Sequence, residues 1–208
     1  INIPVGNKDI KLNLEYYYTR FGSQTLVDYD SNPWEIAVYS TSGKSYSHTF
    51  QIDASYTPFR GFDLTAAYRY NDVKATYADG RLREKPLTNR YKALLTMSYS
   101  TPLKLWQFDL TCQLNGGGRM PDPYTTADGQ PSWPSRFPAY FQLNAQITRW
   151  FRNFSIYVGG ENLTNFRQKN PIIAADAPWS PAFEPTMVWG PVHGAMAYIG
   201  IRYDFGKK

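Results

Sequence analysis

Few side chains in this sequence have the type and spacing that chemistry requires. The two histidines, His48 and His193, are far apart, and neither has a cysteine or carboxylate at metal-ligand spacing, so no metal site is expected. Cys112 is the single cysteine and cannot form an internal disulfide; its register makes it a small apolar filler. The Gly159-Gly160 pair lies within or at the end of a strand pattern with no helix after it, so it is not a phosphate loop and should permit close packing or a bulge. No nucleophile lies beside a base. An outer-membrane hydrolase or acyltransferase is thereby set aside: no catalytic residue, no cofactor and no enzymatic activity are expected.

Two other groups of residues could carry function. Glu15, Asp53, Asp63, Arg69, Asp109, Glu161, Arg202 and Asp204 fall on, or next to, the polar side of alternating segments, where they either line a hydrated wall or pair across a narrow interior. Tyr124, Trp133, Phe137, Trp179, Phe183 and Trp189 lie among prolines in long connections. Rigid rings on stiffened loops can stack on a chelate, a macrocycle or a sugar ring at small entropic cost. Equally, these rings can pack the loops against one another.

Composition says what must position these groups. Of 208 residues, 17% are aromatic and only 19% charged, which excludes a disordered chain. No apolar run approaches the roughly 20 residues of a spanning helix, and 15 Gly with 15 Pro interrupt the chain too often for long helices. The net charge of +5 is weak and scattered. Its densest stretch, Arg81, Arg83, Lys85, Arg90 and Lys92, is interrupted by Glu84 and reads as a solvated loop, so nucleic acid is not an expected partner.

A period of two runs through the chain. Ile10, Leu12, Leu14, Tyr16 and Tyr18 alternate with Lys11, Asn13, Glu15, Tyr17 and Thr19, and the same pattern recurs over 46–56, 62–71, 91–99, 106–114, 141–148, 154–158 and 197–205. That predicts eight antiparallel strands. Leu12, Ile52, Leu64, Leu95, Phe108, Leu143, Ile156 and Ile201 should face one environment, and Gln51, Thr65, Thr111, Asn144 and Arg202 the other.

Three features choose a membrane barrel over a soluble sandwich. Most strands hold about 9–12 residues, the length a tilted transmembrane strand needs. Connections alternate between short turns, near 56–62, 99–105 and 150–154, and long polar stretches over 21–43, 78–88, 116–138 and 164–191. Aromatics gather at the short-turn ends (Tyr56, Phe59, Phe62, Tyr99, Trp106, Trp150, Phe151, Phe154, Tyr203, Phe205) as one interfacial girdle. The predicted fold is all-β, a transmembrane antiparallel up-and-down β-barrel in the bacterial outer membrane, with its outer face on lipid, its short turns periplasmic and its long loops outside.

The last strand, Tyr198 to Phe205, places Gly200 two residues after Tyr198 and ends on Tyr203 and Phe205. It resembles the C-terminal assembly signal of outer-membrane barrels, departing from it by the three residues that follow Phe205. The run Val158, Gly159, Gly160, Glu161, Asn162, Leu163, Thr164, Asn165 resembles a segment near the end of TonB-dependent receptor barrels. Met187 to Gly194 looks like the version of the next segment found in Bacteroidetes. The resemblance implies that residues 1–208 are the C-terminal eight strands of a 22-stranded barrel. The plug domain and the TonB-contacting segment would then lie outside this sequence. Ile1, Ile3 and Val5, alternating with Asn2 and Pro4, look like the tail of a preceding strand.

On this resemblance the function is active import of a scarce ligand, with a metal chelate, siderophore or cobalamin-type compound preferred over a glycan. The expected partners are lipid, the remaining strands, the plug, TonB and, at the surface, a lipoprotein. Glu15, Asp53, Arg69, Asp109, Glu161 and Arg202 become plug-contact candidates. The alternative is a complete eight-stranded barrel acting as an anchor, adhesin or small pore, which requires the first and last strands to pair.

Overall fold

The computed structural model describes residues 1–31, 36–41, 43–126 and 129–205. These residues form strands, turns and irregular connections, with no helix among them. In chain order the strands are β1 (Asn2–Val5), β2 (Lys8–Phe21), β3 (Gln24–Asp28), β4 (Ala37–Thr41), β5 (Ser45–Phe59), β6 (Phe62–Thr76) and β7 (Leu82–Glu84). They continue with β8 (Tyr91–Ser100), β9 (Trp106–Asn115), β10 (Gly118–Arg119), β11 (Arg136–Phe137), β12 (Tyr140–Trp150), β13 (Phe154–Glu161) and β14 (Met196–Tyr203).

One antiparallel sheet runs β1-β2-β5-β6-β8-β9-β12-β13-β14, with β7 added to the upper part of β6. Its eight long strands are the eight read from the alternation. Two bounds differ. β5 continues through Tyr56 to Phe59 across a bulge, because Arg60 and Gly61 make the turn instead. Gly61 adopts φ +86, and a Cβ there would come within 2.2 Å of the Ser100 carbonyl, so only glycine fits. β13 reaches Glu161, which puts Gly159 and Gly160 inside the strand.

The pairing register carries each face across the whole sheet. Leu12, Ala54, Ala66, Leu95, Cys112 and Leu143 are successive partners, as are Lys11, Ser55, Thr65, Thr96, Thr111 and Asn144. The predicted outward and inward sets therefore lie on opposite faces. The first face exposes large apolar side chains, among them Leu14, Phe50, Phe108, Val158, Ile199 and Ile201. The second is hydroxyl-, amide- and charge-bearing, and the upper connections fold onto it.

Gly159 stands opposite Tyr198, and Gly200 opposite Tyr157. A Cβ at either glycine would meet the facing ring, at 2.4 Å and 2.3 Å. Each ring therefore lies over the glycine across from it, which is the close packing expected at Gly159 and, at Gly200, a second instance of it.

The sheet is open. β2 pairs with β1 and β5, while β14 pairs only with β13, so the strand 1 to strand 8 closure required by the small-barrel alternative does not form. The aromatic girdle read at the short-turn end has a counterpart at the other end. On the outward face, Tyr16, Tyr18, Tyr46, Tyr70 and Tyr91 form a second one at the long-loop end. From Phe62 to Tyr70 the strand runs about 26 Å at about 3.3 Å per residue, which is about 20 Å of height at a tilt of about 40°, enough to set the two sets of rings near opposite borders of an apolar band about 25 Å tall. The second girdle is hidden in sequence because its tyrosines continue the apolar alternation without a break.

Candidate ligand site in the loop cluster

The long connections are structured. β3 and β4 form a hairpin whose Leu26 and Tyr39 pack with Ala75 and Tyr77. Ala75 shares its face with Asn71 and Arg69, so the hairpin leans over the lumen side of β6. Asp28 organises it: its carboxylate accepts from Tyr39 Oη at 3.0 Å, from the Asp30 amide at 2.8 Å, and from the Ser31 amide and hydroxyl. Burial pushes this carboxyl up, but the hydrogen bonds from Ser31, Asp30 and Tyr39 outweigh it and hold the pKa below the usual value.

From the hairpin a buried ionic knot reaches two other loops. Asp30 Oδ2 lies 2.8 Å from Arg119 and 3.8 Å from Arg83, in ion contacts without hydrogen-bond geometry. The Asp122 amide donates to Asp30 Oδ1 at 2.9 Å, and Asp122 also pairs with Arg119 at 2.9 Å. Burial would lower the Arg119 pKa, but Asp30 and Asp122 more than offset it, so the guanidinium stays charged. Both guanidiniums lie by the Tyr77 ring, at 5.5 Å and 6.0 Å, and burial raises the Tyr77 phenol.

A second core lies between the β9–β12 and β13–β14 connections. Met120, Trp133, Phe137 and Met187 are buried together, with Leu87, Tyr124, Ile173 and Trp189 packed against them. Trp133 donates to the Pro121 carbonyl at 2.9 Å, Phe137 stacks on Trp189 at 5.4 Å, and Tyr124 meets Trp133 edge-on at 5.5 Å. Trp133 and Phe137 are thus loop core, not exposed stacking surfaces. Phe183 is half-buried, and Trp179 stands 98% exposed.

Between these loops opens a cleft of about 470 Å³, floored by Met120, Trp133, Met187 and Trp189 and edged by Arg167, Lys169, Asn170 and Ser132. Two residues outside the sequence-derived candidates build it. Gln168 is buried; its amide donates to the Met187 carbonyl at 2.8 Å and accepts from the Trp189 and Gly190 amides. Asn162, in a left-handed conformation at φ 49, donates from Nδ2 to the carbonyls of Phe166 (2.7 Å) and His193 (3.1 Å), tying the end of β13 to the entry of β14. The Asn162-to-Asn165 motif signalled Asn162, whereas nothing local to Gln168 did.

The lumen-face candidates remain on the wall, away from this cleft. Glu15 accepts from Asn13 and Tyr17, Asp53 from Gln51, and Asp109 from Ser98 and Gln107, while Arg69 donates to Gln51 at 2.7 Å. Among the described residues, none of Glu15, Asp53, Arg69, Asp109, Glu161 and Arg202 forms an ion pair. Glu15, Asp53, Arg69 and Asp109 are instead satisfied by amides and hydroxyls. Gln51, Asp53, Arg69, Lys92 and Gln113 border a shallow depression of about 400 Å³ on it. At the other end of the chain, Tyr198 Oη donates to Gln146 at 3.0 Å, and Tyr203 packs edge-on with Phe205, which is otherwise exposed. Cys112 is on the apolar face, and the described residues contain no group of three His, Cys, Asp or Glu side chains able to hold a metal ion.

Long antiparallel strands, apolar on one face and polar on the other, with tight turns at one end and folded loops at the other, define the wall of an outer-membrane β-barrel. The chain belongs to the TonB dependent receptor-like β-barrel family, whose pattern matches residues 5–163. Solved structures share the fold. The copper transporter OprC aligns with a TM-score of 0.68 at 14% identity, over 97% of this chain and 30% of that one. The FrpB iron transporter from Neisseria meningitidis (F3-3 variant) gives 0.62 at 10% identity, over 97% and 30%. The siderophore receptor PirA from Acinetobacter baumannii gives 0.57 at 12%, over 98% and 30%. The chain therefore spans about 30% of the length of each. No curated protein sequence matches it.

Proposed function

We propose that residues 1–208 are the C-terminal part of a receptor that imports a scarce metal chelate, siderophore or cobalamin-type ligand across the outer membrane. The remaining strands would complete the barrel, a plug would close its lumen, and TonB would supply the energy through that plug. The loop cleft is the observation that carries this reading. An apolar floor on which Trp189 is the half-buried ring suits a hydrophobic ligand face, and the exposed Arg167 and Lys169 at the edge suit an anionic one. The lumen wall supports the plug: Glu15, Asp53, Arg69 and Asp109 hold local hydrogen bonds, and Glu161 and Arg202 stand on the same face, so a plug can dock and shift without breaking an ion pair between them. Tyr198, Gly200, Tyr203 and Phe205 act in this reading as the assembly signal.

The test is made on the full-length protein in cells starved of iron or cobalamin. TonB-dependent uptake of a ferric tris-catecholate, ferric citrate or cobalamin is expected. For the anionic chelates, Arg167→Glu with Lys169→Glu should lower binding about tenfold or more. Full-length sequence without a plug and further strands, or uptake that is independent of TonB, would overturn the reading. Phe205→Ala should lower the amount of receptor reaching the membrane, and unchanged levels would remove the assembly-signal assignment.

A further inference from the structure

On the outward face, where β2, β5 and β6 reach the long-loop end, the lipid-facing surface changes character. Arg20, Tyr46 and Lys74 are direct partners in register, so their side chains share that face. Lys44 and Lys74 hold their ammonium groups 5.7 Å and 5.9 Å from the centre of the Tyr46 ring. His48 accepts or donates one hydrogen bond with Tyr16 Oη at 2.7 Å, stacks on Tyr18 at 4.7 Å and meets Tyr46 edge-on at 5.0 Å. Tyr16, Tyr18, Lys44, Tyr46 and His48 border an open depression of about 410 Å³. One carboxylate belongs to the cluster, Asp72, which pairs with Lys74 at 3.3 Å. Arg20 and Lys44 are exposed and have no ion pair among the described residues.

Three cations against one carboxylate, on the lipid side of the wall, call for an anion from outside the chain. Charge facing hydrocarbon is costly at mid-membrane and tolerable only near an interface, and this cluster sits at the level of the upper aromatic girdle, where headgroups lie. The other end of the wall gives a control. There Arg149 lies on the rings of Trp106 and Phe151, at 4.9 Å and 5.5 Å, with no second cation over those rings among the described residues. Arg and Lys pair strongly with phosphate oxygens, and flanking tyrosines can accept acyl or sugar carbons against their faces.

We propose that Arg20, Lys44 and Lys74, framed by Tyr18, Tyr46 and His48, form a binding site for the phosphate-bearing headgroup of an anionic lipid in the outer leaflet. The proposal rests on the reading above that places the long loops outside the cell.

The experiment uses the full-length receptor in nanodiscs of phosphatidylcholine with and without a diphosphorylated glycolipid, and retained lipid is counted by native mass spectrometry. Arg20→Gln, Lys44→Gln and Lys74→Gln together should weaken retention about tenfold to a hundredfold, at the usual worth of basic residues near a charged membrane surface. Arg149→Gln should leave retention unchanged. Heat-modifiable migration of each variant checks that the barrel has formed. Equal retention by the folded triple variant would overturn the site, and so would displacement of the lipid by millimolar inorganic phosphate, which would mark a free-anion site. Orientation is tested separately with Gly22→Cys, a position with open space at its Cβ, in a Cys112→Ser background. Labelling of intact cells by an impermeant maleimide is expected. Its failure would overturn the outside assignment itself, whereas labelling with unchanged lipid retention would overturn the lipid site alone.

Discussion

The membrane wall and the loop cluster are built by opposite means. The wall has no core: its long strands expose one face to lipid and the other to the lumen, and almost all its order comes from pairing register. The loop cluster has what a soluble domain has, two small buried cores and a desolvated ionic knot joining residues far apart in sequence. The wall can therefore tolerate polar exchange on its lumen side, whereas the loops depend on a few irreplaceable contacts.

The largest expected effect is in the loops. Trp133→Ala removes the ring at the centre of the apolar core and a hydrogen bond to Pro121, and should cost about 3–5 kcal/mol of local stability. Hydrogen exchange should rise throughout 118–137 and 166–190 while β8, β9 and β12 stay protected. Loss of protection in those strands as well would mean that wall and loops are one cooperative unit.

Asp30→Ala comes next. It removes the buried one of the two carboxylates that Arg119 and Arg83 share, and breaking a buried pair from one side costs about 3–5 kcal/mol at full burial, less here because Arg119 retains Asp122 and Arg83 retains Asp79 and Asp122. Limited proteolysis should cut first in the β3–β4 hairpin, and the loss should be smaller than for Trp133→Ala.

The wall should answer differently. Gly200→Ala drives a Cβ into the Tyr157 ring and should cost about 1–3 kcal/mol by overpacking, read as a lower temperature of heat-modifiable unfolding. A paired Tyr157→Ala substitution should restore part of it, which separates ring crowding from loss of glycine itself.

Acid provides a graded test. Asp28 has its native pKa held low, so its contribution is fully present above the unfolded carboxylate value of about 3.9 and is lost as pH falls through the lower native value. Hydrogen exchange in 24–41 should accelerate in that acid range, and Asp28→Asn should flatten the dependence. The smallest effect is expected for Arg69→Gln on the lumen face, within about 0.5 kcal/mol. A larger loss would mean that the wall relies on its charges more than the Gln51 contact implies.

Sequence alone went far with the wall and stopped at the loops. Side-chain alternation is a local consequence of strand geometry, so the positions of Leu12, Ile52, Leu95 and Ile201 could be assigned to one face without knowing any partner. The Gly159-Gly160 pair was marked for close packing or a bulge from its place in the strand pattern, whereas the ring over Gly200 was not foreseen. Which rings in the loops are exposed has no such local rule. Phe137 packs on Trp189, and Asp30 on Arg119, only because chain folding brings separate connections together. Likewise, Gln168 looks like an ordinary loop amide until Met187, Trp189 and Gly190 come round to bond it. The length, facing and order of the strands were thus determined by local stereochemistry and hydrophobic patterning. The shape of the cleft and the second girdle were decided by long-range packing, because burial belongs to the assembled chain and not to any one segment of it.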